Sequence, residues 1–409
     1  MTGADTIEEI EQTFGRPFLG HQREALEDAQ RQAQGDAPLR LCLYHRTGAG
    51  KTDTSLACVA LAGAERVLIL APPSTHPNWV LRAAALGLDA TVISHAKFRQ
   101  KTFKITRGDA VIVDEFHMLG GQGAAGFTKF DKACEFIKAP VIICSATPNY
   151  NDAERVYCIM HTMAPHTVRG GYIQFLYQHC DVEANPFAKE PIVTSMKDGE
   201  TAENFLQRLP YVHYVEDEAI KQVQIEEVYL MQDYVPDEFN RFGYDSANKR
   251  IMASQMEERH RRRELQSLYN DGSMLLPELQ TRVGEIIESP LFRRSKIMFF
   301  ASHVKIAKAV HTFLQRGATK KAVLISGAST AIARSTALEA FKLDSDVRYL
   351  VGTTALATGT DGIDKVCDTL VIVDDVDDAA LRRQLIGRIL PRGLDTDLTN
   401  KRVLRFVYP

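Results

Sequence analysis

The chain alternates between short apolar runs and longer amphipathic segments throughout both of its halves. The apolar runs are rich in β-branched residues, and the same rhythm returns in the second half. Uninterrupted apolar strands separated by helical segments are typical of a parallel sheet covered by helices on both faces. The predicted strands are 40–45, 66–72, 90–94, 110–115 and 141–147, and then 296–302, 321–327, 347–354, 369–376 and 402–408.

The segments between these strands predict helices, for example at 53–64 and 304–317. A polar stretch at about 237–290 has a different composition, and its part 247–270 is strongly helical and rich in both charges. We therefore predict an α/β protein with two parallel-sheet domains in tandem and a helical connecting segment. The expected domains are 1–215 and 216–409, the second including the charged segment at about 237–290.

Composition limits the classes of function. The chain has 409 residues, 45% of them hydrophobic, and a formal net charge of -3, so no global positive field indicates nucleic-acid binding. Any polyanion would have to bind in a locally basic groove. The seven cysteines include no C-x-x-C pair, which favours reduced core thiols and an intracellular, cytoplasmic location. The start lacks the apolar region of a signal peptide, and no apolar stretch approaches the ~18 residues of a membrane span.

The segment "HRTGAGKT", residues 45–52, follows the first predicted strand and precedes a helix. Such a glycine-rich loop directs backbone N–H groups at a phosphate, while its lysine reaches the β- and γ-phosphates and its hydroxyl binds Mg²⁺. The strict P-loop pattern fails only at its first position, where His45 replaces glycine. The predicted nucleotide-binding residues are Thr47, Gly48, Ala49, Gly50, Lys51 and Thr52, with Thr52 as a metal ligand.

A second motif, "VIVDEFH" at 111–117, ends an apolar strand with two carboxylates. This places Asp114 at the carboxyl edge of the sheet, where α/β proteins bind ligands. Asp114 would hold Mg²⁺, and Glu115 would accept a proton from the attacking water. Two adjacent acids favour a hydrolase over a small-molecule kinase, so the sequence predicts an ATPase.

At this point the chain resembles a known group. "TGAGKT", "DEFH", "SATP" (145–148) and "QLIGRILPR" (384–392) occur in this order across nearly the whole chain. This motif series is similar to that of superfamily II helicases and translocases, whose first motif commonly lacks the initial glycine. The resemblance implies two RecA-like domains with ATP and Mg²⁺ bound in the cleft between them.

The resemblance also implies roles for residues outside the two motifs. Gln22 in "GRPFLGHQREAL" matches the family's upstream glutamine that recognises adenine, which would favour ATP over GTP. Gln384, Arg388 and Arg392 match the Q-x-x-G-R-x-x-R motif. By this match Arg392 is the arginine finger and Arg388 a second γ-phosphate contact, so hydrolysis would require closure of the two domains.

Finer features resemble Swi/Snf-type translocases and their phage-encoded relatives, as in "LILAPPSTHPNWV" (68–80) and "LVGTTALATGTDGID" (350–364). The chain departs from DEAD-box RNA helicases, because it has D-E-F-H in place of D-E-A-D and Gln384 in place of histidine. This favours DNA over RNA and, by analogy alone, a bacterial or phage-encoded source. An RNA helicase and a nucleotide-gated scaffold without unwinding activity remain the alternatives.

The family resemblance places the nucleic acid across the strand ends of both sheets. Hydroxyl and backbone N–H groups at strand ends suit phosphate oxygens, although each hydroxyl could instead cap the following helix. Trp79, the only tryptophan, is interpreted as a packing residue of its helix. The candidate contacts are Pro72, Ser74, Ser94 and His95 in the first domain, and Ser302, Gly327, Thr353 and Thr354 in the second.

Overall fold

The structure of the protein is a computed structural model, which describes part of the chain. The described residues are 6–45, 48–100, 105, 109–134, 137–145, 153–185, 191–215, 223, 225–229, 276–293, 295–317, 320–357, 362–374, 379–390 and 401–407. The chain divides into two compact units, Met1–Asp217 and Glu218–Pro409.

The first unit is built on a six-stranded sheet in the order β3-β2-β4-β5-β1-β8, and all its paired strands are parallel. The central strands are almost fully buried, which explains why they appear in the sequence as continuous apolar runs. The strands are β1 (Arg40–His45), β2 (Arg66–Leu70), β3 (Asp89–Ile93), β4 (Ala110–Val113), β5 (Val141–Ser145) and β8 (Val212–Val215).

Helices cover both faces of this sheet. Alternate residues of each strand enter two separate cores: Cys42 and Tyr44 of β1 pack in one, and Leu41 and Leu43 pack in the other. The helices of the first unit are α1 (Ile7–Phe14), α2 (Gly20–Ala33), α3 (Lys51–Leu61), α4 (His76–Ala85), α5 (His95–Arg99), α6 (Ala125–Cys134), α7 (Ala153–Met163), α8 (Gly171–His179) and α9 (Ala202–Gln207).

A small antiparallel pair interrupts the alternation in the first unit. Strands β6 (Cys180–Glu183) and β7 (Ile192–Met196) form a two-stranded sheet between α8 and α9. The sequence reasoning did not predict this pair, because each strand is short and mostly exposed and therefore lacks an apolar run.

The second unit repeats the architecture with the strand order β11-β12-β10-β13-β14-β9, again with parallel pairs. Its strands are β9 (Ile225–Tyr229), β10 (Lys296–Phe300), β11 (Lys321–Ile325), β12 (Val347–Gly352), β13 (Cys367–Ile372) and β14 (Arg402–Val407). Its helices are α10 (Leu276–Glu288), α11 (Val304–Gly317), α12 (Ala331–Leu343) and α13 (Ala379–Ile389).

The predicted α/β class with two parallel sheets is therefore confirmed. Each predicted strand is present, and most end one or two residues earlier than predicted. Of the predicted connecting segment, α10 lies within 237–290, whereas 247–270 lies outside the described residues. All seven cysteines are free, and all but Cys134 are buried. Among the helices that the structure describes, none is long and apolar enough to cross a membrane.

Candidate nucleotide site and nucleic-acid interface

The glycine-rich loop connects β1 to α3 at the carboxyl edge of the first sheet. Gly48 and Gly50 have φ angles of 83° and 80°, a region in which only glycine is unstrained. Lys51 is the first residue of α3, and its Nζ donates a hydrogen bond to the carbonyl oxygen of His45 at 2.9 Å. The structure thus brings together Gly48, Ala49, Gly50, Lys51 and Thr52 of the predicted site, while Thr47 lies outside the described residues.

The two acids follow β4 at the same edge of the sheet. The backbone N–H of Asp114 donates to the carbonyl of Leu70 at 2.8 Å, which continues the ladder between β4 and β2 by one residue. Glu115 has a φ of 52°, an uncommon left-handed conformation for a residue other than glycine. Its side chain is buried, and its Oε2 has no hydrogen-bond partner among the described residues, although His117 Nδ1 lies 3.4 Å away.

The phosphate loop and the two acids are close enough to interact. Strand β5 separates β1 from β4, so the loop and the acids follow strands two positions apart. Burial and the neighbouring charge of Glu115 raise the pKa of Asp114 well above its usual range, and the Lys51 ammonium opposes this rise. The half-buried Asp114 and the buried Glu115, beside a lysine, provide the oxygen ligands that a divalent cation prefers.

His45, which stands at the first position of the P-loop pattern, is fully buried. Neither ring nitrogen has a hydrogen-bond partner in the described part of the chain, and the ring packs edge-to-face on His21 at 5.3 Å. Burial, aided by the charge of Lys51, lowers the pKa of His45 to about 2. The imidazole is therefore neutral, so it does not compete with Lys51 for a phosphate.

Gln22, the predicted adenine reader, lies in the first turn of α2 and has no exposed surface. Its Oε1 accepts a hydrogen bond from the backbone N–H of Leu19 at 2.9 Å, and its Nε2 donates to the carbonyl of Ala49 at 3.1 Å. Both ends of the amide thus have protein partners next to the phosphate loop.

The predicted arginine motif of the second unit lies on α13. Gln384 and Arg388 are both buried, each 7% exposed. The guanidinium of Arg388 donates through Nε to the carbonyl of Ala357 at 3.0 Å, and a second guanidinium nitrogen contacts the same oxygen. Arg392 lies outside the described residues, as do 146–148 of the "SATP" motif.

The candidate nucleic-acid contacts of the first unit cluster after β2 and β3. Pro72 is buried and Ser74 is half-buried in a short 3-10 turn. Ser94 caps α5 by accepting a hydrogen bond from the backbone N–H of Lys97. His95 is buried with its Nε2 2.9 Å from the carbonyl oxygen of Asp114, so it holds the acid motif and offers little surface to a ligand.

In the second unit the candidates follow β10, β11 and β12. Ser302 donates its hydroxyl to Asp374, whereas Thr353 is buried at the start of a 3-10 turn. Gly327 and Thr354 are exposed. Trp79 is 1% exposed, so the prediction that it is a packing residue is confirmed.

Two polar clusters near the site were missed from the sequence. Asp53 in α3 is buried and accepts hydrogen bonds from Arg16 at 2.5 Å and Arg82 at 2.6 Å. In the second unit, Asp374 accepts from Ser302, from the backbone N–H of His303 and from the His303 ring. The partners of each aspartate lie 29 or more residues away along the chain, so no local pattern could have indicated them.

Comparison with known proteins extends these observations. Residues 281–392 match the family model of the helicase conserved C-terminal domain. No curated protein matches the chain in sequence. Saccharomyces cerevisiae Dbp5 bound to RNA and ADP BeF3 is similar in structure, with 13% identity, coverage of 99% of this chain and 90% of that chain, and a TM-score of 0.52. The Sulfolobus solfataricus SWI2/SNF2 ATPase core in complex with dsDNA is 17% identical, with coverage of 96% and 88% and a TM-score of 0.41.

The chain has a tandem RecA-like α/β fold similar to that of Dbp5, and residues 281–392 of its second unit match the helicase conserved C-terminal domain. The glycine-rich loop and the acid motif both lie in the first unit, outside the residues that match this domain.

Proposed function

We propose that this protein couples ATP hydrolysis to movement along DNA, or to its unwinding. The proposal rests on one observation: Lys51 lies close to Asp114 and Glu115 at one edge of the first sheet. A phosphate-binding lysine facing two acids, of which Glu115 Oε2 has no hydrogen-bond partner in the described residues, suits hydrolysis rather than binding alone.

The residues of the first unit divide the chemistry among them. The ammonium of Lys51 would leave the carbonyl of His45 for the β- and γ-phosphates, and the N–H groups of the loop would surround the β-phosphate. Glu115 would accept the proton of the attacking water. The raised pKa of Asp114 indicates a carboxylate that gains from a cation, and Thr52 and Asp114 are the residues that would hold Mg²⁺. Mg²⁺, when bound, neutralises charge on the phosphates.

The second unit would supply the positive charge that completes the site. By the motif match, Arg392 contacts the transferring phosphoryl group, Arg388 supports it, and Gln384 contributes a polar contact from the same helix. A guanidinium delivered by another domain couples chemistry to domain movement, because hydrolysis is then fast only in the closed form.

DNA is the proposed substrate because the motifs depart from those of RNA helicases at Phe116 and Gln384. The exposed strand ends near Ser74, Gly327 and Thr354 are the surfaces we propose for phosphate contacts. With a net charge of -3, affinity would come from few contacts in one groove. Binding to duplex DNA should therefore weaken with salt, with log K falling by about 0.9 for each phosphate neutralised per tenfold rise in salt.

The test compares the ATPase rate without nucleic acid and with single-stranded DNA, duplex DNA, a branched junction and RNA. We expect DNA to stimulate turnover more than RNA does. Equal or stronger stimulation by RNA would favour the RNA helicase. An absence of turnover with every polymer, together with intact ATP binding, would favour the nucleotide-gated scaffold.

A further inference from the structure

Trp79, the only tryptophan of the chain, has a polar group that packing alone does not explain. The side chain lies on α4 and is 1% exposed, and its Nε1 completes no hydrogen bond within the described residues. A buried indole N–H usually finds an acceptor, and a buried donor without one costs about 1–3 kcal/mol. The burial of this N–H therefore calls for an acceptor within its reach.

The strand pattern places the carboxyl of Asp114 in the same layer as the indole. Ala110 and Ile112 of β4 pack in the same core as Trp79. Side chains alternate between the two faces of a strand, and the backbone of Asp114 continues the ladder of β4 through its bond to Leu70. Asp114 is therefore on the face of β4 that packs in the core containing Trp79.

The indole N–H and this carboxyl interact. Burial and the charge of Glu115 raise the pKa of Asp114 to about 7, and the Trp79 N–H is among the groups that oppose this rise. A donor lowers the pKa of a carboxyl because it stabilises the ionised form. The N–H therefore lies within reach of the Asp114 carboxyl but does not complete a hydrogen bond with it.

Trp79 differs from Lys51, the cation beside Asp114, in how its polar group is held. The Nζ of Lys51 ends a flexible side chain, bonds to the His45 carbonyl and, in the proposed function, leaves it for the phosphates. The indole is a rigid ring enclosed in the core, so its N–H keeps one direction. Outer partners of this kind orient the carboxylates that bind metal ions, and their loss typically lowers metal affinity or activity about 10- to 100-fold.

We infer that Trp79 is a positioning residue for Asp114, and that its indole N–H orients the carboxylate that would hold Mg²⁺. The inference rests on the proposed function, because it takes Asp114 as the residue that would hold the cation. The effect of Trp79 on nucleotide binding is then confined to the part of the affinity that depends on Mg²⁺.

The test measures the affinity of the full chain for ATP by calorimetry, once with Mg²⁺ and once with EDTA. Trp79→Phe removes the N–H and keeps an aromatic ring in the core. Ile69→Val is the matched control, since Ile69 is a buried residue of the same core and the change touches no polar atom. We expect Trp79→Phe to lower the gain in ATP affinity that Mg²⁺ provides by about tenfold and to leave the affinity in EDTA unchanged, whereas Ile69→Val changes neither.

The outcomes separate the inference from the proposed function. An unchanged Mg²⁺ gain in Trp79→Phe, beside a clear gain in the wild type, overturns the inference alone. An equal loss of affinity with Mg²⁺ and with EDTA also overturns it, because the ring then acts only through packing. If the wild-type chain binds ATP no better with Mg²⁺ than without it, the proposed Mg²⁺ ligands fail together with the inference.

A resonance of the indole covers the case in which Trp79→Phe does not fold. Because the chain has one tryptophan, labelling tryptophan with ¹⁵N gives a single indole N–H peak. We expect Asp114→Asn to shift this peak, since an ionised carboxylate is a stronger acceptor than an amide. Asp109→Asn, at the opposite end of β4, should leave the peak in place. A peak that does not move in Asp114→Asn would overturn the inference.

Discussion

Both units have buried polar atoms without hydrogen-bond partners near the carboxyl edge of the sheet, but the two edges differ in which groups are paired. Glu115 Oε2 and both ring nitrogens of His45 accept or donate no hydrogen bond within the described residues. In the second unit, Ser302 and His303 both bond to Oδ2 of Asp374, whose Oδ1 has no hydrogen-bond partner in the described residues, and Arg388 bonds to Ala357. The unpaired atoms cost stability. The unpaired groups of the first unit favour a ligand site at its sheet edge, whereas the hydrogen bonds of the second unit stabilise the loops at its sheet edge.

The pKa values of the histidines also shift in opposite directions at the two sheet edges. Burial lowers the pKa of His45 to about 2 and that of His95 to about 4. The hydrogen bond to Asp374 raises the pKa of His303 above its ordinary value. Protonation of these histidines should therefore weaken the first unit and strengthen the second, because folding opposes histidine protonation in one and favours it in the other. The raised pKa of Asp114 acts in the opposite direction to His45 and His95 in the first unit.

The largest expected effect concerns the contribution of the second unit to catalysis. Arg392→Ala should leave ATP affinity nearly unchanged and lower the DNA-stimulated turnover by about 10³- to 10⁵-fold, as for other arginine fingers. Arg392→Lys should rescue little, because a point charge lacks the planar fork. Steady-state ATPase assays with and without DNA measure both, with Arg316→Ala, an exposed arginine of the same unit, as the control. Stimulated turnover near the wild-type rate would remove Arg392 from the mechanism.

The next effect tests the unpaired acid of the first unit. Glu115→Gln should bind ATP as the wild type does and lose about 10²- to 10⁴-fold in turnover, because the amide cannot accept the proton of water. Asp109→Asn is the control, since Asp109 stands at the opposite end of β4 and pairs with Arg66. Single-turnover hydrolysis separates binding from chemistry. If Glu115→Gln turns over like Asp109→Asn, Glu115 is not the base.

The acid response of the first unit should be smaller but measurable. Below about pH 6.5 the two histidines are protonated in the unfolded chain, whereas His45 and His95 stay neutral in the folded unit. The free energy of unfolding therefore decreases as the pH falls below about 6.5. We expect the two histidines together to contribute a loss of about 2–3 kcal/mol between pH 7 and pH 5.5, and protonation of Asp114, whose folded pKa is raised, to offset part of it. Urea unfolding followed by Trp79 emission reports this unit alone, since Trp79 is the only tryptophan.

His45→Leu sharpens this measurement because it removes one of the two buried rings. The variant should lose about half of the histidine contribution between pH 7 and pH 5.5. His166→Leu, which replaces an exposed histidine of the same unit, should retain the full loss. An unchanged pH slope in His45→Leu would mean that the ring is not kept neutral by burial.

The smallest effect is expected for His303, whose side chain is 41% exposed and therefore partly screened by solvent. Its folded pKa is raised, so its stabilisation is complete below about pH 6.5 and is lost as the pH rises through the folded value. Hydrogen exchange of β10 and β13 should be slower at pH 6 than at pH 8.5, after correction for the intrinsic rate. His303→Gln should abolish this difference, and His311→Gln should keep it.

The sequence predicted the central strands of both large sheets and the edge strands β3 and β11, but it missed the other two edge strands. Strands such as β1 and β4 are enclosed on both faces, so they appear as apolar runs. Strand β8 has the sequence VHYV and β9 has IEEVY, and both lie at the edge of a sheet, where partial exposure permits polar residues. Their mixtures of polar and apolar residues resemble those of loops, so neither strand was predicted from the sequence.

The same contrast holds for the site. The phosphate loop and the acid motif are local in sequence, and the structure places Lys51 beside Asp114 as their strand positions imply. The partners of Gln22 and Asp53 depend on how α2, α3 and α4 pack, at separations of 27 to 37 residues. No periodicity contains that information.

The free cysteines have a practical consequence. Burial raises the pKa of the thiols of Cys42, Cys58, Cys134, Cys144, Cys180 and Cys367 above the ordinary value. Alkylating dyes react with the thiolate, which these side chains hardly form near neutral pH. A cysteine introduced at an exposed position of each unit, such as Arg31 and Arg316, should therefore take up fluorophores over a low native background. Energy transfer between the two dyes could then follow the motion of the two units during turnover, in a chain that keeps all its native thiols.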